Sequence, residues 1–132
     1  MCKTIKQKVK FEAPPEVIYR LLTESKKYAE VTKKKAIIGR SAGKRFSVYG
    51  GQATGIIVEL VRNKRIVQAW RGHSFPEGIY SMATFNLKPT PKGGTELILV
   101  HRGVPKNSIP FIEQGWRKYN WDPIKKYLSD KK

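Results

Sequence analysis

The sequence predicts an α+β fold in which a bent antiparallel sheet is closed over one long C-terminal helix. Three features predict it. The chain opens on a segment of period-two hydrophobicity, passes through two short segments of helical period, and then reads as strand after strand from residue 35 to residue 103. Those strands are separated by short turns rich in Gly, Pro and Asn, which suit antiparallel hairpins. The chain ends on an aromatic-rich helical segment. A half-buried sheet has to cover one face, and that last segment is the obvious cover.

Each element follows from its residues. In "TIKQKVKF", Ile5, Val9 and Phe11 fall on one face and Lys6, Lys8 and Lys10 on the other, the pattern of a half-buried strand. "APPEVIYRLL" changes to helical period. Its two prolines suit a first turn, Glu16 complements the helix dipole, and Ile18, Leu21 and Leu22 make an inner face. A shorter helix over "SKKYAEV" follows, with Ser25 or Thr23 as its N-cap. Six strands are expected over "KAIIGR", "KRFSVYG", "ATGIIVELV", "RIVQAWRG", "IYSMATFNLKP" and "TELILVHRG", with turns at 41–43, 50–51, 62–64, 76–78 and 90–94. In the terminal helix, Ile112, Trp116, Tyr119, Pro123 and Tyr127 share one stripe at helical spacing, and Pro123 should kink it. Trp121 lies off that stripe, so it either packs on the first two helices or anchors a partner at the surface.

Composition narrows the class. A chain of 132 residues is expected to form a single domain spanning 1–132, with no repeat or linker. Its 27 basic and 10 acidic residues give a net charge of +17, which attracts an acidic protein surface, nucleic acid or an anionic membrane. The lone Cys2 permits no internal disulfide, and the N-terminus has no apolar signal-like run. A cytoplasmic protein with no membrane partner is expected. Catalysis has little support. The two histidines, His73 and His101, end strands, the carboxylates are scattered, and neither a metal-ligand spacing nor a phosphate-cradling loop is present. Neither metal nor cofactor is expected.

Taken in order, these segments resemble a known family. They are "PEVIYRLLT", then Gly43, Phe46, Gly51 and Gly55, then "LVRNKRIVQAWR", "SFPEG" at 74–78, "GGTELILVHRGVP" and "QGWRKYNW". The chain is similar to the activator of heat shock protein 90 ATPase homologue family, and within it to the C-terminal domain of the eukaryotic activators. Lys44 stands where that family often has a second glycine. The resemblance covers most of the chain but not the separate N-terminal domain of the full-length activators. It implies the helix-grip fold of the START-like superfamily. It also implies a non-enzymatic, co-chaperone-like domain that binds heat shock protein 90.

Two sets of residues are candidates for function. Partner contacts are expected from the 74–78 loop (Phe75, Pro76, Glu77) and from Trp121 edged by Arg117, Lys118 and Lys125. A cavity under the last helix is the second candidate, with Phe46, Val48, Ile57, Trp70, Met82, Phe85, Leu99, Trp116 and Tyr119 as its lining. These side chains can line a pocket for a lipophilic small molecule, which the superfamily resemblance permits, or fill it as core. Nucleic acid is disfavoured, because the aromatics follow the buried periodicity instead of alternating with the surface bases.

Overall fold

A computed structural model describes residues 2–131. One seven-stranded antiparallel sheet in the order β1-β7-β6-β5-β4-β3-β2 makes up most of it. Strand β1 (Cys2–Phe11) is followed by helices α1 (Pro15–Thr23) and α2 (Ser25–Thr32). Then come β2 (Ile37–Ile38), β3 (Arg45–Val48), β4 (Ala53–Val61), β5 (Arg65–Gly72), β6 (Ser81–Pro89) and β7 (Thr95–Pro105). Consecutive strands from β2 to β7 pair through short turns, and β1 closes the sheet by pairing with β7. Register shifts between Ile57 and Glu59 in β4 and between Lys3 and Ile5 in β1 add the local twist that bends a sheet.

The strands lie where the hydrophobic period places them, except that the first of the six shrinks to two residues. Ser25 caps nothing. Its hydroxyl accepts the Ile38 N–H at 2.7 Å and so ties α2 to that short strand, while Thr23 donates to the Tyr19 carbonyl. The N-cap of α2 is Glu24, without a side-chain bond.

The terminal helix is interrupted. Helix α3 (Ile109–Trp116) leads into a π turn, Arg117–Trp121, and then into α4 (Asp122–Asp130). The Asp122 N–H reaches back five residues to the Arg117 carbonyl. Pro123 follows directly, and in a regular α-helix its ring would meet the carbonyl four residues earlier, so the wider turn relieves that clash. The kink expected at Pro123 therefore takes the form of one extra residue per turn.

That extra residue moves the buried face. Ahead of it Ile112 and Trp116 are buried as expected; beyond it the buried residues are Asn120, Trp121 and Ile124, not Tyr119, Pro123 and Tyr127. Tyr119 is 39% exposed. The core holds all three tryptophans. Trp116 stacks on Trp121 with centroids 5.7 Å apart, and Trp70 and Phe85 pack against Trp116 at 5.7 and 5.5 Å. Each such ring buries a large area, so this cluster is the main hydrophobic contribution of the grip.

Candidate functional site

Three polar clusters fix the terminal helix, two against the sheet and one against α2 and the β3–β4 turn. In the first, the Trp116 indole N–H donates to His101 Nδ1 at 3.1 Å. An indole only donates, so Nδ1 is the acceptor and Nε2 carries the proton. Ser81 lies 2.7 Å from that Nε2 and donates its own hydrogen to the Trp70 carbonyl at 2.9 Å. His101 is fully buried, and burial pushes its pKa down to about 3. The ring is a neutral structural link, not a general base.

In the second cluster, Gln7 accepts from the Trp121 indole at 2.6 Å and donates to the Glu113 carbonyl at 2.9 Å. The Arg117 N–H turns to the Gln114 carbonyl, which leaves the Glu113 carbonyl to this side chain. In the third, the π turn brings Asn120 inward. Its Oδ1 accepts from Tyr28 and, at 3.0 Å, from Tyr49, and the two hydroxyls are 2.7 Å apart. Its Nδ2 has no partner among the described residues. Burial raises the pKa of both phenols, so they stay neutral. Tyr49 holds a positive φ of 56°, a strained backbone for a bulky residue.

Beside this third cluster a cleft of about 190 Å³ opens between α3 and the ends of β4 and β5. Trp70, Trp116, Tyr49, Phe111 and Tyr119 give it aromatic walls, and Gln52, His73 and Lys34 stand at its rim. Lys34 Nζ lies 6.0 Å from the Tyr119 ring, within reach of a cation–π contact. A second void of about 20 Å³ lies deeper, touched by Val48, Phe85, Trp70 and Trp116.

The predicted cavity is thus mostly filled. Phe46, Ile57 and Leu99 are buried in the core, and Trp70, Trp116 and Tyr119 border the open cleft at one end of the helix. Met82 does not face the helix at all. It sits on the outer face of the sheet, 39% exposed, because Ser81 and Ala83 take the inward positions of β6.

The expected partner contacts divide in the same way. Trp121 is 2% exposed and Phe75 3%, so neither is a surface anchor. Trp121 is held by Gln7 and the Trp116 stack, and Phe75 packs edge-on against Trp70 at 5.7 Å. Pro76, Glu77, Arg117, Lys118 and Lys125 are exposed. The 74–78 loop is shaped by Arg71, whose guanidinium donates to the carbonyls of Phe75 (2.9 Å), Pro76 (2.5 Å) and Ile79 (3.1 Å). Sequence reasoning missed Arg71, Asn120 and Gln7. Gln7 was the one legible signal, a polar residue on the inward face of β1. Among the described residues no cluster of His, Cys, Asp or Glu could hold a metal, and no helix is long and apolar enough to cross a membrane.

A long, interrupted helix held in a curved antiparallel sheet defines the helix-grip, START-like class. The family description "Activator of Hsp90 ATPase homolog 1-like protein" matches residues 12–129, and the chain belongs to that family. Human activator of 90 kDa heat shock protein ATPase homolog 1 is 35% identical over 125 residues, covering 94% of this chain and 36% of the human protein. The Dictyostelium discoideum activator is 29% identical over 127 residues, 96% of this chain and 33% of its own length. The chain thus spans about a third of these relatives. In structure it is similar to an HSP90 activator from Plasmodium falciparum, with a TM-score of 0.91 at 21% identity over 96% of both chains. A Mesorhizobium loti protein shares the fold with a TM-score of 0.83 at 24% identity, over 98% of this chain and 99% of that one.

Proposed function

We propose that this chain acts as a single co-chaperone-like domain that binds heat shock protein 90 and modulates its ATPase cycle. The observation that supports this most is the 35% identity to a named activator across 94% of the chain. The net charge of +17 suits an acidic partner surface and speeds encounter. Contacts come from Pro76 and Glu77 on the loop that Arg71 holds, with the helix cations Arg117, Lys118 and Lys125 steering approach. The mechanism is population shift: a ligand that prefers one state of the chaperone moves its equilibrium by the difference in affinity. Titration calorimetry of heat shock protein 90 at two salt concentrations, with ATP turnover followed in parallel, tests it. Saturable binding that persists at about 0.15 M salt, where charges more than ~8 Å apart are largely screened, with altered turnover, is expected. Binding lost at that salt would reduce the charge to a generic attractant.

The aromatic cleft favours a second reading, a carrier or sensor of a small lipophilic molecule. At about 190 Å³ it is smaller than the ~300–1,000 Å³ of drug-sized pockets, so it suits a compact ligand. Native mass spectrometry of the purified protein would show such a ligand as an added mass that unfolding removes.

A further inference from the structure

Antiparallel sheets with one buried face normally alternate apolar inward with polar outward. This sheet breaks that rule on its outer face. The pairings place Arg45, Ile56, Ala69, Met82 and Arg102 in one continuous row across β3, β4, β5, β6 and β7. Ile56 is 40% exposed, Met82 39%, and Val58 next to them 44%. The adjoining row carries Ile37, Ser47, Thr54 and Arg71. A shallow groove runs between Ile37, Arg45, Ile56 and the exposed Tyr80. Strand propensity accounts for the β-branched members but not for Met82 or Tyr80's position outside the strand.

We infer that this outer face, centred on Ile56 and Met82 and framed by Arg45 and Arg102, is a docking surface for an acidic protein partner with an apolar centre. Charge decides the occupant. Both ends of the row are arginines, Arg71 and Lys6 flank it, and Glu59 on the same strand as Ile56 is engaged by Arg65 at 2.8 Å. Glu96 lies further along the sheet between Lys10 and Lys88. Arg and Met are the residue types that protein interfaces enrich, whereas a strand-binding surface for nucleic acid would need stacked aromatics where the row has aliphatic side chains. The 74–78 loop adjoins the face, because Arg71 both lies on it and holds the loop. Arg117, Lys118 and Lys125, by contrast, belong to the helix on the other side of the sheet. The identity of the partner as heat shock protein 90 rests on the co-chaperone reading.

The test is a calorimetric titration of heat shock protein 90 with four proteins: wild type, Ile56→Thr with Met82→Thr, Arg45→Ala with Arg102→Ala, and a charge-matched control, Lys26→Ala with Lys92→Ala. Thermal melts check folding, and the arginine pair carries the test if the threonine pair does not fold. The threonine pair is expected to bind at least tenfold more weakly than wild type, and the arginine pair several-fold more weakly with a flatter salt dependence than the control. Wild-type binding with unchanged affinity in both row variants would overturn the face while leaving the co-chaperone reading intact. No binding by wild type would overturn both. Row variants that lose affinity for a short DNA duplex while keeping it for the chaperone would assign the face to nucleic acid and overturn the inference.

Discussion

His101 is the residue with the most chemistry and the least freedom. The Trp116 N–H points at its Nδ1, so a second proton on the ring would face a donor with no acceptor. Its pKa is pushed down to about 3 by burial, against about 6.5 in an unfolded chain. Below pH 6.5 the unfolded chain takes up a proton that the folded one refuses. Stability from this group is therefore complete above about pH 6.5, falls as pH drops towards 3, and is level below that. At pH 5 the loss amounts to about 2 kcal/mol. Unfolding free energies from urea titrations at pH 7.5 and pH 5 should differ by that amount in wild type. In His101→Gln the difference should shrink by about that amount.

At the scale of elements, the interrupted helix explains both what could be read and what could not. Strand positions were legible because a period of two leaves no ambiguity about which side is buried: Ile5, Val9 and Phe11 are all inward. The stripe of the last helix was legible only as far as Trp116. A wheel drawn at 3.6 residues per turn has no means of registering the extra residue of a π turn. Adding one to Tyr119 and Pro123 gives Asn120 and Ile124, both buried, while at the next turn Tyr127 and Leu128 both pack partly buried against the core. The signal was Pro123, whose ring needs the wider turn. The 74–78 loop was placed correctly in sequence, but Phe75 turned inward because Arg71 satisfies the loop's carbonyls, a long-range effect that no local pattern carries. Gln7 gives this scale its prediction. Gln7→Ala strands the Trp121 N–H and the Glu113 carbonyl, each costing about 1–3 kcal/mol when buried without a partner. Urea unfolding should show a loss of at least about 2 kcal/mol, and amide exchange should speed up first in residues 117–121.

For the whole molecule, charge dominates. Cations crowd the sheet's outer face, its β1 edge and the helix end, and the ion pairs found among the described residues, Arg65–Glu59 and Lys126–Asp130, are both exposed. Exposed pairs offset little of that repulsion. Screening should therefore stabilise the fold: raising neutral salt from about 0.05 to about 0.3 M shortens the Debye length from about 14 to about 6 Å and should raise the melting temperature. A melting temperature that falls with added salt would mean that attractive pairs outweigh the repulsion. The lysines at 6, 8 and 10 have a second use at this scale, since cations on an edge strand discourage another chain from pairing with β1.

The three-tryptophan cluster has an optical consequence. All the indoles of the chain are buried in one cluster, so its emission reports the closure of the grip as a whole. Trp70 and Trp116 also border the aromatic cleft. A molecule entering there alters the light directly, while a protein docking on the outer face leaves the indoles shielded. Without any added label, the colour and quenching of this chain's own fluorescence separate the two kinds of binding.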